Sequence, residues 1–339
     1  MTYTVHQHWD PLRVCIVGQS YPAQFYNFIK NKQVRSVLER IAEETEEDYL
    51  SLIALLETFG VEVLRPKIGT DIELYRDGAK YLTPPMCPRD YMSMVGSDFY
   101  FNSGGYQSCY TDVLNRVHSQ GNDIFYETGI NGAATTRVGK DLYFGTTLGT
   151  TITDVAEAKL KYNKLFPTYK THVIDTQGHS DSTFCPVTPG LIVSLYDVPT
   201  YADTFPGWEV VYLPVQSWAA IPEFQKLKEQ NRGKWWVPGE ELNADFTNYI
   251  ESWMSHWVGF VEETVFDVNM LVIDKHNVIC NNYNKQVFDA FERHNITPHI
   301  FNFRHRYFWD GGLHCITSDL NRDGSIEDYF PADKLVKGA

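Results

Sequence analysis

An α/β fold made of repeated strand–helix–strand units is what this sequence predicts, on three observations. Short apolar strands alternate with amphipathic helices along most of the chain. The alternation recurs about five times, with no sequence identity between the units. No low-complexity linker interrupts it, so residues 1–339 are expected to form one domain. With 43% hydrophobic and 14% aromatic residues, the chain carries enough apolar surface for a sizeable core.

The first unit opens on a strand from Arg13 to Gly18, continues through a Glu- and Leu-rich helix from Val34 to Phe59, and returns at Val61 to Leu64. Tyr91 to Val95 and Asp98 to Phe101 pair as a hairpin about Gly96-Ser97, followed by a helix from Asp112 to His118 and a strand from Asp123 to Tyr126. In the third unit Asp141 to Phe144 is a strand, and Asp154 caps a helix to Leu165 with Glu157 at the N3 position of a capping box. His172 to Asp175 closes it. Phe184 to Val187, Leu191 to Ser194 and Glu209 to Tyr212 make the fourth unit. Met270 to Ile273, Val278 to Cys280, a helix from Lys285 to His294 and Pro298 to Phe303 make the last. Between them, residues 216–265 form a Trp-rich insertion with Trp235-Trp236-Val237-Pro238-Gly239 and a helix from Asn243 to Trp257. It either packs on the core through its aromatics or covers the site as a lid.

The net charge of −14 disfavours a nucleic-acid or anionic-membrane partner and is compatible with a cleft that attracts a cationic small molecule. Met1 to His6 has neither a basic n-region nor an apolar h-region, and no run reaches the length of a membrane span. Cysteines at 15, 87, 109, 185, 280 and 315 show no CxxC spacing. A cytoplasmic protein with no disulfide framework, metal or organic cofactor is expected.

The chemistry is expected at Gly311-Gly312-Leu313-His314-Cys315. A sulfur nucleophile needs an approachable backbone, a base within reach and a grip on its electrophile. Two glycines let the chain pass close to a substrate. Alone the motif is a weak signal, since one of six cysteines is more often a small buried hydrophobe. Three further stretches accompany it: Pro88-Arg89-Asp90, Asn131-Gly132-Ala133-Ala134 and His179-Ser180-Asp181-Ser182-Thr183-Phe184.

In this order, from about Trp9 to Tyr329, the four resemble the guanidino-group-modifying superfamily, and the run is most similar to its glycine (arginine:glycine) amidinotransferase branch. The resemblance implies a five-bladed α/β propeller of ββαβ units (the pentein type) with the site at its axis. It implies Cys315 as nucleophile, His179 as general acid/base, and Asp90 and Asp181 as the carboxylates that clamp a guanidinium, with Arg89 and Gly312 beside the substrate. The chemistry of the residues agrees, because a planar, forked cation is gripped bidentately by paired carboxylates. The partners implied are a small guanidino donor and an amine acceptor, and the resemblance favours a homodimer.

Departures from the family pattern carry information. Asn131 stands where the family has a catalytic Asp or Glu, and Ala134 ends that motif. Asn can still accept a hydrogen bond from the histidine or the guanidinium but stabilises an imidazolium less. Glu127 is a candidate substitute. The family's Asn-Pro-Asp-Arg-Pro aligns with Leu195-Tyr196-Asp197-Val198-Pro199, so Val198 replaces the Arg that holds a substrate carboxylate, and Asp267 replaces a Ser at the same end. Losing a cation and gaining an anion points away from an α-carboxylate. Asp319 to Ile326 has the look of a calcium loop, but Phe330 occupies the position that needs a bidentate Glu, so it is read as a turn. A guanidino hydrolase of the deiminase or dihydrolase type, and an inactive guanidino-binding module, remain as alternatives.

Overall fold

Five three-stranded sheets, each an antiparallel pair extended by a parallel strand, make up the scaffold among the described residues. The computed structural model describes residues 2–77, 80–104, 108–146, 155–176, 178–195, 201–213, 235–258 and 267–331. The strands are β1 (Leu12–Val17), β2 (Glu62–Leu64), β3 (Arg76–Asp77), β4 (Lys80–Tyr81), β5 (Met92–Val95), β6 (Asp98–Phe101), β7 (Ile124–Tyr126), β8 (Thr135–Val138) and β9 (Asp141–Thr146). They continue as β10 (Lys170–Asp175), β11 (Phe184–Thr188), β12 (Leu191–Ser194), β13 (Glu209–Tyr212), β14 (Leu271–Asp274), β15 (Asn277–Cys280), β16 (Thr297–Ile300) and β17 (Thr317–Arg322).

Within a sheet the order is hairpin, helix, parallel strand: β5-β6-β7 spans the helix Thr111–Ser119, β8-β9-β10 the helix Val155–Leu165, and β14-β15-β16 the helix Lys285–Arg293. A parallel partner needs a crossover, and the helix supplies it while covering one sheet face. In β11-β12-β13 the short helix Tyr201–Thr204 lies before the parallel strand. The fifth sheet joins the two ends of the described chain, with β17 antiparallel to β1 and β2 parallel to β1 after the helix Lys32–Thr58. Asn31 caps that helix by accepting from the N–H groups of Gln33 and Val34. Its buried face runs Val34, Leu38, Ile41, Tyr49, Leu52 and Leu56, an i, i+3/i+4 stripe. β9, β11 and β12 are buried at every position, which is why they read as continuous apolar runs rather than alternating ones. The β5–β6 hairpin turns at Gly96, whose φ of 58° suits a residue without Cβ.

Two strands depart from the sequence expectation. Thr135-Thr136-Arg137-Val138 is polar for a strand, yet all four residues are buried as β8. The segment read as a turn after Cys315 begins as β17, and Asp319 in it is 1% exposed. The helix expected from Asn243 to Trp257 is α-helical over Ala244–Tyr249 and continues as a single π turn over Ile250–Met254. Asp154, the expected cap, lies outside the described residues. The described part of the insertion packs on the core: Trp235 is 2% exposed and meets Phe246 and Phe308, and Trp257 meets Tyr21, Phe25, Tyr26 and Trp309. Among the described residues, no helix is long and apolar enough to cross a membrane.

Four charged side chains, each at most 2% exposed, meet where several sheets converge. Asp319 Oδ1 accepts from Arg89 Nη1 at 3.1 Å and Arg137 Nη2 at 2.8 Å, and Oδ2 accepts from Arg322 Nε at 2.7 Å. Surplus guanidinium N–H groups donate to main-chain carbonyls: Arg137 to Met94, Arg322 to Asp10 and Val272, Arg89 to His314 and Thr317. One carboxylate thus ties β5, β8, β14 and β17 together. Burial opposes its charge, but Arg137, Arg322 and Arg89 outweigh that and hold Asp319 well below the ordinary carboxylate range. Removing one partner of such a group leaves buried charge uncompensated. Asp319→Asn is therefore expected to destabilise the protein by about 3–5 kcal/mol in urea unfolding, and a loss under about 1 kcal/mol would mean that the carbonyls alone hold the arginines.

Candidate active site

Three short turns are stitched side by side. Pro88–Asp90 is a 3-10 turn leading into β5, and Ser180–Ser182 is another leading into β11. The loop 131–134 lies between them: Gly132 N–H donates to the Arg89 carbonyl at 2.9 Å, and Ala133 O accepts from Asp181 N at 3.1 Å and Ser180 Oγ at 2.9 Å. A Cβ at Gly132 would come within 2.8 Å of Arg89 Cγ, so the close approach requires glycine. The fourth turn, Gly311 to Cys315, connects the helix Arg306–Trp309 to β17.

These turns bring Asp90, His179, Asp181 and Cys315 into one electrostatic unit. Cys315 Sγ lies 3.4 Å from Asp181 Oδ2, which also accepts from His314 Nδ1 at 2.8 Å. His179 Nδ1 is 3.8 Å from Asp90 Oδ1, with 46% of the imidazole side chain exposed. No hydrogen bond joins His179 to Cys315 among the described residues. Burial works against a charged His179, but Asp90, Asp181 and Asp310 outweigh it and raise the imidazole's pKa. Burial first, then Asp181, Cys87 and Asp90, push the Cys315 thiol well above its ordinary value. The same carboxylates therefore favour the protonated imidazole and the un-ionised thiol. His314 is kept neutral, chiefly by burial and then by Arg89, and so donates its Nδ1–H to Asp181.

A recess of about 230 Å³ opens over Asp90, walled by Cys87, Tyr91, His256, Trp257 and Asp310 among others. Its walls reach Asp90 and Asp310 but not Cys315 or Asp181. Among the described residues that line it there is no Lys or Arg. Asp310, which sequence reasoning passed over, stands in the left-handed region at φ 52°, immediately before the two glycines.

Several expected roles are corrected by where the side chains go. Arg89 does not face a substrate: it is 1% exposed and spent on Asp319 and two carbonyls. Gly311 and Gly312 make room for protein, since Cβ atoms there would meet Cys87 Sγ at 3.0 Å and Asn269 Oδ1 at 2.5 Å. Asn131 Oδ1 accepts from Ala134 N at 2.8 Å, so that oxygen is engaged in closing its own loop. Glu127 accepts from Ser103 N at 2.7 Å, outside the site. Asp267 is 7% exposed and accepts from Asn282 rather than lining the recess. Val198 lies outside the described residues.

Asn269, fully buried just before β14, was not legible. Its Oδ1 accepts from the N–H groups of both His314 and Cys315, at 2.8 and 3.1 Å, and its Nδ2 donates to Cys315 Sγ at 3.0 Å. Val268-Asn269-Met270 has no spacing or composition that marks it.

No family model matches the chain. It is 23% identical over 380 residues to inosamine-phosphate amidinotransferase 1 of Streptomyces glaucescens, covering 96% of this chain and 98% of that one. It is 20% identical over 384 residues to L-arginine:L-lysine amidinotransferase of Pseudomonas savastanoi pv. phaseolicola, covering 96% of each. In fold it is similar to the inosamine-phosphate amidinotransferase StrB1 of Streptomyces griseus, with a TM-score of 0.67, 19% identity and 96% and 99% of the two chains covered. SxtG, an amidinotransferase of Microseira wollei, superposes with a TM-score of 0.68 at 17% identity over 97% of this chain and 100% of that one.

One titration in the site has a sign that can be checked. Burial, the largest cause, raises Asp181 to about 6, against partial relief from His179. Between about 4, the unfolded value, and about 6 the folded chain holds a proton that the unfolded chain has lost, so stability falls as pH rises through that window. Urea unfolding of the wild type is expected to lose on the order of 2–3 kcal/mol from this group across it, and Asp181→Asn to flatten that slope. An equal slope in both proteins would count against a raised Asp181.

Proposed function

We propose that this relative of the amidinotransferases moves an amidino group from a guanidino donor to an amine acceptor, through a covalent adduct on Cys315. The observation that carries it is the placing of Asp181. Its Oδ2 lies 3.4 Å from Cys315 Sγ, while Asp90 and then Asp181 outweigh burial and raise the pKa of His179. A guanidinium between those carboxylates would have its carbon presented to the sulfur and its leaving nitrogen to the imidazolium.

The steps balance as follows. Binding of the cation offsets the two carboxylates that raise the thiol, so the thiol gives its proton to water as the electrophile is seated and the thiolate regains one when the product leaves. Sulfur attacks the guanidino carbon, an S–C bond forms, and the C–N bond to the donor breaks as His179 gives its proton to the departing amine. Cys315 then carries a cationic amidino group. The acceptor amine attacks that carbon and loses a proton to His179, and the thiolate leaves. No metal or organic group enters these steps. Water in place of the amine would make the chain a hydrolase, and the chemistry up to the adduct would be the same.

The five sheets fit the blades of a five-bladed propeller, with the Asp319 cluster at the axis beside the site. The carboxylates of the recess, with no Lys or Arg among its described walls, support a donor or acceptor whose distal group is not an anion. Six unpaired cysteines fit the reducing, cytoplasmic setting we propose.

The test is incubation with arginine or agmatine, with and without candidate amines, followed by mass spectrometry of protein and products. Guanidinylated amine and an amidino adduct on Cys315 are expected, both lost in Cys315→Ala with the fold retained. Citrulline- or urea-type products without transfer would assign a hydrolase, and the absence of any adduct would leave a binding module. Agmatine is expected to exceed arginine in kcat/KM, and equal values would overturn the distal-group reading. Asp90→Asn should raise the donor KM at least about tenfold, as loss of one charged hydrogen-bond partner costs about 1.5–3 kcal/mol.

A further inference from the structure

We infer that Asn269 is a catalytic residue whose Nδ2–H, aimed at Cys315 Sγ, stabilises the sulfur anion in attack and again in departure. The inference rests on Cys315 being the nucleophile. Its geometry is over-determined. Two main-chain N–H groups, those of His314 and Cys315, point at one end of the Asn269 carboxamide at 2.8 and 3.1 Å. An N–H cannot accept an N–H, so that end must be the oxygen. The other end is then NH₂ by necessity, and it lies 3.0 Å from Sγ and 3.2 Å from the Asp181 carbonyl oxygen. The amide cannot flip without breaking four hydrogen bonds in a fully buried position.

The sulfur's surroundings make this donor consequential. Asp181, Asp90 and Cys87 all disfavour a thiolate, and among the described residues Asn269 is the only N–H donor directed at Sγ. The thiol's own proton points at Asp181 Oδ2, so donor and acceptor functions of the sulfur are separated in space. Glycine at 312 is what permits it: a Cβ there would come within 2.5 Å of Asn269 Oδ1 and 2.8 Å of its Cγ. A preorganised donor of this kind costs no reorganisation during the reaction and acts where charge develops.

The experiment is the pH dependence of iodoacetamide alkylation of Cys315, read by peptide mass, in wild type and Asn269→Ala, with a thermal melt to establish folding. Loss of the donor is expected to move the alkylation midpoint upward by about one pH unit and to lower kcat about tenfold or more at nearly constant KM. A purely structural role predicts the opposite sign, because a loosened loop lets water reach the thiol and lowers its midpoint. An unchanged or lowered midpoint in folded Asn269→Ala overturns the inference. Should that variant fail to fold, Asn269→Asp keeps the acceptor for both main-chain N–H groups. It is expected to shift the midpoint upward as well, and an unchanged midpoint there is equally decisive. Alkylation does not depend on turnover, so a shifted midpoint without any amidino adduct in the wild type would uphold the donor while sinking the proposed reaction.

Discussion

One buried carboxylate, Asp319, organises the architecture around it. Three guanidiniums in a dry interior repel one another, and a single anion cannot neutralise them. The arrangement persists because every arginine also finds main-chain carbonyl oxygens, each the end of a different chain segment. The electrostatic demand of the cluster is therefore met only when Met94, Asp10, Val272 and His314 are all in place. That makes the convergence of the sheets a condition for satisfying the charges as well as a result of burying apolar faces.

The excess positive charge at this hub faces an excess of negative charge in the site. Arg89 faces inward to Asp319 and its neighbour Asp90 outward to the recess, so one three-residue turn serves both. Asp90, Asp181 and Asp310 raise His179, and the first two also raise Cys315. In the proposed reaction a guanidinium would offset these carboxylates. Specificity and activation would then come from the same charges, since the ligand that binds would also be the one that lets the proposed nucleophile ionise.

What the sequence made legible follows a physical division. Strands and helices whose apolar residues are consecutive or at helical spacing were read within a few residues, among them β1, β2, β5 to β7 and β9 to β16. β8 and β17 were missed because their buried residues are polar: Thr135, Thr136 and Arg137 in one, Thr317, Ser318 and Asp319 in the other. Thr136, Arg137 and Asp319 are buried against partners 43 to 230 residues away, which no local pattern encodes. Asp90, His179, Asp181 and Cys315 were singled out through the order of four short motifs that resemble a family pattern, and each sits in or beside a short turn that the structure brings near the others. Asn269 was passed over and Arg89 was placed beside a substrate, since a carboxamide that clamps a loop and an arginine that anchors a carbonyl look like any surface Asn or Arg.

Arg89 and Asn269 nonetheless converge on the same peptide unit. The carbonyl of His314 accepts Arg89 Nε at 2.7 Å, and the N–H of Cys315, across the same peptide bond, donates to Asn269 at 3.1 Å. A planar peptide held at both its oxygen and its nitrogen has no freedom to rotate, so the N–Cα bond of Cys315, from which the sulfur is carried, is set. The sulfur is thereby aimed from two independent elements, the turn before β5 and the residues before β14. The hub reaches the residue of the proposed nucleophile through one hydrogen bond, so the precision that the proposed attack would require is inherited from the cluster that closes the fold.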